Sequence, residues 1–595
     1  MCGIVGYLGQ KEKKQFILNG LKELEYRGYD SAGLAVLHNN DLDFFKAVGK
    51  LENLANATKN YESTGFGACI GHTRWATHGK PTEINAHPHL GEYSCVIHNG
   101  IIENYQELKQ SLKDTTFASQ TDTEVIVHLF EKYAKELSPF EAFKKLIGVL
   151  EGSYAILLLT KKAPDMIFFA KQNSPLVVGK NEEGEIFFSS SDAPLISYAK
   201  EVFYLEDGDF GYADKNHLYI CDSKSCKTPI FKPLNTNVLS AQKDGYDFFM
   251  EKEIYEQSVV LKHTLAGRIK NEKVFFEELE NLKKDSFNTI HICACGTSYH
   301  AAMASEYLFE RVSKKPCKIH IASEFRYKEP IFNKNDLFIC ISQSGETADT
   351  LQALKIAKQA GLQTLAICNV DNSSIVRMAD YTLLTRAGIE KGVASTKAFA
   401  CQMLVLWLFS LYLCDDENII KQDIKAMDKL SDITRVNKKT HDKIHRLSKR
   451  YLDGHGFFFI GRDIFYPLAL EGALKLKEIS YLHAEGYAAG EMKHGPIALA
   501  DSKLYTIALM PKNMLYDKIK SNVEELSARD SNILSISPLE FELADDFIKT
   551  TDVDHYMLEF FEMMVILQLL AFEISLRLGN DVDMPRNLAK SVTVE

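Results

Sequence analysis

The stretch DLFICISQSGETADTLQALKIAKQAG, residues 336–361, indicates the fold of the larger part of the chain. Its apolar run at 336–342 is typical of a strand that is buried on both faces of a parallel sheet. A helical pattern follows at 347–361, after a turn that contains Ser and Gly. Strand, turn and helix in this order predict an α/β domain.

Similar strand–turn–helix segments occur on both sides of this stretch. They begin with HICACG at 291–296, TLAICN at 364–369, GFFFIGR at 456–462 and LYTIALM at 504–510. Because the pattern occurs twice with similar spacing, we predict two copies of one α/β domain. A single large doubly wound sheet is the alternative that the pattern alone leaves open.

The first part of the chain, up to about residue 238, has a different character. Short apolar runs alternate with Gly, Asn and Asp, and helical patterns occur only at 12–26 and 121–137. These features predict an α+β domain whose sheets are mainly antiparallel. The polar stretch 235–255 contains a Gly and is interpreted as a linker into a helix.

Length and charge limit the possible functions. A chain of 595 residues predicts two to four domains. The net charge is -11 and no long Lys/Arg block is present, so nucleic acid and acidic membranes are not expected as partners. The apolar stretch 401–413 is too short to span a bilayer, and the N-terminus lacks the pattern of a signal peptide. Twelve scattered Cys favour reduced thiols and a cytoplasmic location.

Two turns between strand and helix have the chemistry of a phosphate site. CGTS at 295–298 and SQSGET at 342–347 combine hydroxyl side chains and Gly with helix N-termini. Neither matches a nucleotide-binding motif, so a phosphorylated small molecule is expected. The alternative is that the Ser and Thr side chains only cap the helices.

Charged side chains on the helix at 467–480 suggest acid–base chemistry. Glu471, Lys475 and Glu478 share one face, and the apolar rest of the helix suggests that this face is partly buried. A partly buried carboxylate is a candidate general base. The alternative is a solvated stripe of ion pairs. Downstream, His494 lies in the Gly-containing stretch GEMKHGP at 490–496.

Cys2 opens the run CGIVG at 2–6 and has special reactivity if Met1 is removed. It then carries both a thiol and a free α-amine, so that one residue supplies the nucleophile and its base. A small hydrophobic side chain in an edge strand is the alternative explanation.

Further polar residues of the first part fit amide chemistry. GHTRWATHG at 71–79 contains Arg74, Trp75 and His78 after an apparent strand. HNG at 98–100 is expected to form a turn whose Asn99 side chain and Gly100 N–H could stabilise an oxyanion. TDTE at 121–124 has the spacing of a capping box, although Asp122 could instead bind a ligand amine. HPH at 87–89 has no third ligand nearby, so we expect no metal.

Together these motifs resemble known families. CGIVG, EYRGYDSAG at 25–33, HTRWATHG at 72–79, HNGIIEN at 98–104 and TDTEV at 121–125 resemble the N-terminal-nucleophile glutamine amidotransferases. ACGTS, SQSGETADT, GVASTKAF at 392–399, EGALKLKEISY at 471–481, KHGP and the terminal NLAKSVTVE resemble paired sugar-isomerase domains. Their order is similar to that of the glutamine–fructose-6-phosphate aminotransferase (isomerising) family, the glucosamine-6-phosphate synthases.

The resemblance implies an αββα N-terminal-nucleophile hydrolase fold followed by two α/β parallel-sheet sugar-isomerase domains. The implied ranges are 2–238 for the glutaminase domain, 239–255 for a linker, 256–430 and 431–575 for the two isomerase domains, and 576–595 for a tail that enters the synthase site. Composition alone would make the final residues 581–595 a solvated tail.

The resemblance also implies roles in a first half-reaction. Cys2 attacks the side-chain amide of glutamine with its own α-amine as base, and Asn99 and Gly100 stabilise the oxyanion. Arg74 holds the α-carboxylate and Asp122 the α-amine, and Trp75 and His78 complete the glutamine site. Trp75 also gates an internal channel for ammonia.

In the implied second half-reaction, Lys590 forms a Schiff base with fructose 6-phosphate, Glu478 moves a proton between C1 and C2, and His494 opens the sugar ring from the neighbouring subunit of a homodimer. The expected sugar-phosphate site comprises Cys295, Gly296, Thr297, Ser298, Ser342, Gln343, Ser344, Thr347, Val393, Ala394, Ser395, Glu471, Lys475 and Ala589. No cofactor or metal is required. The product, glucosamine 6-phosphate, would start the synthesis of UDP-N-acetylglucosamine.

Three other functions are less compatible with these motifs. An amidotransferase acting on phosphoribosyl diphosphate needs a different phosphate loop with acidic residues. A sugar-phosphate-sensing regulator should bring a helix-turn-helix and a basic patch. A structural scaffold leaves Cys2 and both phosphate turns unexplained. In the family that the chain resembles, longer members carry an insertion linked to feedback by a nucleotide sugar. No such low-complexity insertion is present here, so the resemblance implies no strong inhibition by a nucleotide sugar.

Overall fold

The computed structural model describes residues 2–76, 78–113, 115–234, 242–284 and 287–593. The chain forms two compact units. The N-terminal unit consists of residues 1–240 together with 587–595, and the C-terminal unit consists of residues 241–586. The predicted start of the linker at 239 lies outside the described residues, and the other predicted domain boundaries stay predictions.

The described part of the N-terminal unit contains strands and helices in alternating groups. The strands are β1 (Gly3–Gly9), β2 (Ser31–His38), β3 (Asp41–Val48), β4 (Gly67–Arg74), β5 (His89–Leu90), β6 (Ser94–Ile102), β7 (Gly152–Thr160), β8 (Ile167–Gln172), β9 (Val177–Lys180), β10 (Ile186–Ser189), β11 (Glu201–Tyr204), β12 (Phe210–Ala213), β13 (Leu218–Cys221), β14 (Cys226–Lys227) and β15 (Lys232–Pro233). The helices are α1 (Lys13–Leu24), α2 (Leu51–Ala57), α3 (Tyr105–Gln110), α4 (Glu124–Tyr133) and α5 (Pro139–Ile147).

These strands form two antiparallel sheets. Within the described residues, one has eight strands in the order β15-β11-β9-β10-β1-β4-β2-β3, and the other has seven in the order β14-β13-β12-β8-β7-β6-β5. Apolar side chains of both sheets pack against each other. The outer face of the first sheet packs on α1, and that of the second packs on α4 and α5. The predicted αββα layers are confirmed.

Strand β1 is central to this arrangement because it lies between β10 and β4 and is buried along its whole length. Burial on both faces explains its continuous run of apolar residues and Gly. Helix α1 begins where the Glu12 carboxylate accepts hydrogen bonds from the N–H groups of Lys14 and Gln15. The first strand therefore places the adjoining Cys2 at the edge of the core.

One expectation about cysteine was wrong. Cys221 and Cys226 form a disulfide, whereas the other ten cysteines have free thiols. The two disulfide residues are register partners on β13 and β14. Strand pairing brings them face to face, and scattered spacing along the sequence does not reveal such a register.

The C-terminal unit begins with helices and a small hairpin and continues with alternating strands and helices. Its strands are β16 (Ile269–Lys270), β17 (Lys273–Val274), β18 (Ile290–Ala294), β19 (Cys317–Ile321), β20 (Leu337–Ser342), β21 (Gln363–Cys368), β22 (Tyr381–Leu384), β23 (Gly456–Gly461), β24 (Ala484–Ala488), β25 (Leu504–Leu509), β26 (Asn532–Ser537) and β27 (Asp546–Lys549). Its helices are α6 (Phe249–Tyr255), α7 (Gln257–Leu265), α8 (Gly296–Leu308), α9 (Ala322–Phe325), α10 (Ala348–Gln359), α11 (Ser374–Met378), α12 (Lys397–Tyr412), α13 (Glu417–Met427), α14 (Leu430–Ile433), α15 (Lys438–Leu447), α16 (Phe465–Ser480), α17 (Tyr516–Ser527) and α18 (Tyr556–Arg577).

Two parallel five-stranded sheets dominate this unit. Their spatial orders are β19-β18-β20-β21-β22 and β24-β23-β25-β26-β27. In each sheet, the strand that comes first in the sequence therefore lies second in space. The prediction of two copies of one domain is therefore confirmed, and the alternative of one large sheet is wrong. Helices α8, α12, α16 and α18 contribute to one shared core, because each presents apolar residues to the space between the sheets.

The apolar helices of this unit belong to the core of a globular fold. Helix α12 is buried over almost its whole length, as is most of α18. Among the described residues, no helix combines the length and hydropathy needed to cross a membrane.

Candidate active sites

Cys2 lies immediately before β1 and close to the residue that follows β4. The Trp75 backbone N–H donates to the Cys2 Sγ at 3.3 Å, and the Sγ lies 3.6 Å from the Trp75 carbonyl oxygen. Burial raises the pKa of the Cys2 thiol. The thiol is therefore protonated at neutral pH, and its attack on an amide requires a base that removes this proton.

Asn99 and Gly100 lie within β6, beside Cys2. The Asn99 Nδ2 donates to the Cys2 carbonyl oxygen at 2.9 Å. Gly100 has a φ of 130°, and a Cβ there would lie 1.9 Å from the Ser153 carbonyl oxygen, so that only Gly fits. The predicted turn at HNG was wrong, because this segment pairs residue by residue with β7. The two sequence-predicted donors nevertheless lie next to each other near the thiol.

Arg74 ends β4 and braces the loop that follows it. Its Nη2 donates to the His78 carbonyl oxygen and, at 3.1 Å, to that of Gly79. The side chain is buried, and burial lowers its pKa. Trp75 and His78 are half-buried in the same segment. Thr77, which lies between them in the motif, is outside the described residues.

Asp122 precedes α4 and is buried. Its Oδ2 accepts a hydrogen bond from the Ile102 N–H at 2.8 Å, which connects it to the end of β6. The predicted capping box was wrong, because α4 begins at Glu124 and its N-cap, Thr123, makes no side-chain capping bond. The Glu124 carboxylate instead accepts from the backbone N–H of Ser119 at 2.6 Å. The loop that precedes the helix therefore uses this carboxylate in place of the predicted cap.

Three further residues of this region were missed by sequence reasoning. His72 Nε2 lies 3.0 Å from the Asn99 Oδ1, and Ser190 Oγ accepts from the Asn99 Nδ2 at 3.2 Å. Asp30 accepts a hydrogen bond from the Ala76 N–H at 2.8 Å. His72 and Asp30 lie inside stretches that carry the family resemblance, whereas Ser190 has no local signal because a distant strand brings it here.

The histidines of the HPH stretch pack against one another. His87 packs against the rings of His72 and His89, and burial lowers the pKa of each of these three imidazoles. No group of three or more potential ligands suited to a metal ion occurs in the part of the chain that the structure describes.

The turn after β18 opens α8 without a side-chain cap in the described structure. Cys295 is the N-cap residue and Gly296 begins the helix with a φ of 52°. The Ser298 Oγ accepts a hydrogen bond from the Nε2 of the buried Gln402 at 3.0 Å. The hydroxyl hydrogen of Ser298 therefore points elsewhere and can be donated to an anion.

The turn after β20 has a similar construction. The Ser342 Oγ accepts from the Gly345 N–H at 2.9 Å and lies 3.3 Å from the Thr347 Oγ1. Ser344 accepts from the Glu346 N–H at 3.2 Å, while Gln343 lies between these serines. Thr347, the N-cap residue of α10, makes no side-chain capping bond. The alternative that these hydroxyl groups only cap helices is therefore not supported.

The third polar segment of this unit precedes α12. Ser395 Oγ donates to the Glu390 Oε2 at 3.1 Å, and the Glu390 Oε1 accepts from the Thr396 N–H at 2.9 Å. Val393 and Ala394 are buried beside it. Glu390 was missed by sequence reasoning because its partners depend on the path of the loop.

Charged residues of α16 form ion pairs with one another and hydrogen bonds to the first sheet domain. Lys475 Nζ lies 3.4 Å from the Glu471 Oε1 and 2.5 Å from the Glu478 Oε2. Thr297 of the first domain donates to the Glu471 Oε1 at 3.0 Å. Glu471 and Lys475 are almost completely buried, whereas Glu478 is 21% exposed. The alternative of a solvated stripe is wrong for the first two residues.

His300, another residue missed by sequence reasoning, lies 2.7 Å from the Glu471 Oε2 through its Nδ1. Burial alone would lower the pKa of Lys475, but the charges of Glu471 and Glu478 hold it above its usual value. Lys475 therefore stays a cation at neutral pH.

His494 belongs to the C-terminal unit and Lys590 to the N-terminal unit. His494 is exposed at the end of a 3₁₀ turn, Ala489–His494, in the C-terminal unit. Ala589 and Lys590 are half-buried in a segment of the N-terminal unit. There the Lys590 N–H donates to the Tyr26 carbonyl oxygen at 3.5 Å, and the Tyr29 hydroxyl donates to that of Leu588 at 2.9 Å.

Comparisons with known proteins agree with this organisation. A glutamine amidotransferase domain model matches residues 73–197, and a SIS domain model matches residues 286–412 and 453–548. The chain is 67% identical to the glutamine–fructose-6-phosphate aminotransferase (isomerizing) of Campylobacter jejuni and 54% identical to that of Helicobacter pylori, over the full length of both chains in each comparison.

A solved structure supports the C-terminal unit in particular. The C-terminal domain of glucosamine-fructose-6-phosphate aminotransferase from Francisella tularensis is 37% identical and has a TM-score of 0.56. The match covers 58% of this chain and 100% of that one. With full-length relatives at this identity, the chain belongs to the glutamine–fructose-6-phosphate aminotransferase (isomerizing) family.

Proposed function

We propose that this chain transfers the amide nitrogen of glutamine to fructose 6-phosphate and releases glucosamine 6-phosphate and glutamate. The observation that carries the proposal is the placement of the Asn99 amide nitrogen 2.9 Å from the Cys2 carbonyl oxygen, beside a thiol that precedes the first strand. The sugar half of the proposed reaction is supported by the relatives named above and by the two parallel sheet domains.

The first half-reaction begins at Cys2. After removal of Met1, the free α-amine takes the thiol proton as the sulfur attacks the glutamine side-chain carbonyl. The resulting oxyanion accepts hydrogen bonds from the Gly100 N–H and from one N–H of the Asn99 Nδ2, which exchanges its longer bond to the Ser190 Oγ for this one. The α-amine then passes its proton to the leaving nitrogen, so that collapse expels ammonia and leaves a thioester on Cys2. Water hydrolyses this thioester to glutamate and restores the thiol.

The glutamine site would be completed by the residues around these donors. Arg74 supplies a guanidinium for the α-carboxylate, and Asp122 supplies a carboxylate for the α-amine. Trp75 and His78 lie in the segment braced by Arg74 and would cover the bound substrate. A buried guanidinium gives a stronger interaction with a carboxylate than an exposed one does, because water competes less.

The sugar phosphate would lie at the carboxyl ends of the first parallel sheet, where helices α8 and α10 begin. Hydroxyl groups in the turns and backbone N–H groups would donate to the phosphate oxygens. The proposed site comprises Cys295, Gly296, Thr297, Ser298, Ser342, Gln343, Ser344, Thr347, Val393, Ala394, Ser395, Glu471, Lys475 and Ala589.

In the second half-reaction, C1 of the sugar would be oxidised and C2 reduced by the same amount, so that no external oxidant or reductant is needed. Lys590 forms a Schiff base with the C2 ketone and releases water, and ammonia then replaces the lysine nitrogen at C2. Glu478 removes a proton from C1 and returns it to C2, which converts the C2 imine and C1 hydroxyl into an amine and an aldehyde. His494 assists ring opening.

The proposal includes four statements about the setting of the reaction. Ammonia passes between the two sites through a channel gated by Trp75, which prevents its loss to water. The protein acts as a homodimer in which the exposed His494 serves the neighbouring subunit. The reaction takes place in the cytoplasm, in keeping with ten free thiols beside the single Cys221–Cys226 disulfide of the described residues. Its product starts UDP-N-acetylglucosamine synthesis.

The test counts glutamate and glucosamine 6-phosphate released from glutamine and fructose 6-phosphate. Wild type should release them in a one-to-one ratio. Cys2→Ala should abolish glutamate release, whereas Lys590→Ala should abolish only the sugar product. Lys477→Ala, an exposed lysine on α16, is the matched control and should behave as wild type. Glutamate release by wild type without any aminated sugar would refute the acceptor.

A further inference from the structure

The histidine behind Asn99 has no role in the mechanism described so far. His72 lies on β4 and is fully buried. Its Nε2 is 3.0 Å from the Asn99 Oδ1 and 3.1 Å from the His98 carbonyl oxygen. Both of these oxygens are hydrogen-bond acceptors, so the His72 Nε2 carries the proton that is donated to them.

The rest of the imidazole agrees with a neutral ring. Burial, reinforced by the nearby Arg74 and His98, lowers the pKa of His72 to about 3. The His72 Nδ1 is buried without a hydrogen-bond partner among the described residues, and the ring stacks on His87 with 3.9 Å between centroids. A neutral imidazole protonated only on Nε2 satisfies all of these contacts.

This donor selects one of the two orientations of the Asn99 amide. In the observed one, Oδ1 accepts from His72, and Nδ2 donates to the Cys2 carbonyl oxygen at 2.9 Å and to the Ser190 Oγ at 3.2 Å. If the Asn99 amide were rotated by 180°, its Nδ2 would face the His72 N–H and its Oδ1 would face the Cys2 carbonyl oxygen. Two like groups would then face each other at each end of the amide.

We propose that His72 is a positioning residue for glutamine hydrolysis, because its Nε2–H bond to the Asn99 Oδ1 keeps the Asn99 N–H donors on the side of Cys2. The inference rests on the proposed function, in which those donors stabilise the oxyanion. The same bond polarises the amide and strengthens its N–H groups as donors. Because charge develops only in the transition state, loss of the bond should lower kcat rather than raise KM for glutamine.

Two conservative variants separate this bond from mere packing. Counted from Cβ, the amide nitrogen of Gln is as many bonds away as the His Nε2, whereas that of Asn corresponds to the His Nδ1. His72→Gln should therefore keep the donor and His72→Asn should lose it. We expect kcat for glutamate release to fall about 10- to 100-fold in His72→Asn and at most about threefold in His72→Gln.

A control and two probes of Cys2 make the test specific. His89→Asn alters another buried histidine, whose Nε2 contacts the Thr121 Oγ1 at 3.0 Å, and should keep kcat. Alkylation of Cys2 by iodoacetamide creates no oxyanion and should proceed within about twofold of wild type in all variants. The γ-aldehyde analogue of glutamine adds the thiol to form a hemithioacetal, and its affinity should fall in His72→Asn in parallel with kcat/KM.

Several results would overturn the inference. They are an unchanged kcat in His72→Asn, equal losses in the Asn and Gln variants, or a fall in iodoacetamide alkylation as large as the fall in kcat. Asn99→Ala distinguishes this failure from that of the proposed function. If wild type releases no glutamate, or Asn99→Ala is as fast as wild type, the proposed function fails and the role of His72 fails with it.

Discussion

The two parallel sheet domains of the C-terminal unit have the same strand order but different turns. In the first domain, the turns 295–298 and 342–347 together contain five hydroxyl side chains, including that of Thr297, and two Gly. In the second domain, the corresponding segments RDIF at 462–465 and MPKNML at 510–515 contain neither Ser nor Thr nor Gly. An identical framework thus presents a phosphate-type surface in only one of its two copies.

The second domain contributes a different chemistry. Its helix α16 carries Glu471, Lys475 and Glu478, and the first two of these contact Thr297 of the first domain. One copy therefore offers groups that can hold an anion, and the other offers a charged network suited to proton transfer. The fold therefore positions a site, whereas the residues in its turns and on one helix decide its chemistry.

The largest expected effect is a loss of stability when the charged network of α16, which contacts Thr297 of the first domain, is broken. Lys475→Met leaves Glu471 buried without its cation and should lower the free energy of unfolding by about 3–5 kcal/mol, measured by urea denaturation of the full chain. Lys477→Met, an exposed change on the same helix, should stay within about 0.5 kcal/mol of wild type. Equal losses in both variants would contradict the importance of the buried network.

The dependence of this effect on pH has a definite sign. The pKa of Lys475 is raised in the folded protein, so its stabilising contribution is complete below its ordinary pKa and is lost only as pH rises through the raised value. The difference between wild type and Lys475→Met should therefore stay constant between about pH 6 and pH 9. A steep change within this interval would show that another group dominates.

The next largest effect is expected on KM for fructose 6-phosphate when the turn 342–347 of the first domain is distorted. Gly345 has a φ of 68°, and a Cβ there would lie 1.9 Å from the Ser373 Oγ. Gly345→Ala introduces this clash and also about 1–2 kcal/mol of backbone strain. It should therefore raise KM for fructose 6-phosphate roughly tenfold or more.

Gly361→Ala is the matched control for this change. Gly361 has a φ of 77° and nothing within 4 Å of an added Cβ, so it shares the strain without the clash. It should leave KM for the sugar unchanged, and both variants should retain glutamate release. If Gly361→Ala raises KM as much as Gly345→Ala does, strain alone explains the effect.

Loss of a single hydroxyl group tests the binding surface itself. Ser342→Ala removes a donor proposed to face the phosphate and should raise KM for fructose 6-phosphate about tenfold, since a hydrogen bond to a charged group contributes about 1.5 kcal/mol. Initial rates at saturating glutamine provide the measurement. An unchanged KM would remove Ser342 from the proposed site.

The smallest effect is expected in the second copy. Lys512 lies in the segment that corresponds to the Ser342 turn, and its Nζ pairs with the exposed Asp552 at 2.7 Å. Lys512→Ala should change KM for the sugar phosphate by less than about twofold, because an exposed ion pair contributes at most about 1 kcal/mol and no substrate contact is proposed there. A rise comparable to that in Ser342→Ala would show that both copies bind phosphate.

Much of the fold could be predicted because its signals are local. Continuous apolar strands followed by helices predicted two parallel domains, and short punctuated runs predicted antiparallel layers. Predictions failed where the pairing of strands decided the outcome. Asn99-Gly100 has a turn preference, yet pairing with β7 places it in a strand, and Cys221 meets Cys226 only through strand register.

For the sites, the sequence by itself determined which reactive groups are present and, through motif resemblance, the family. The spacing of Glu471, Lys475 and Glu478 was enough to place them on one helix face. Only the tertiary structure decided that Thr297 reaches Glu471 from the other domain and that His72 supports Asn99. The physical reason is that burial and hydrogen-bond partners depend on elements that meet across long stretches of chain, whereas helical and strand periodicity depends on near neighbours.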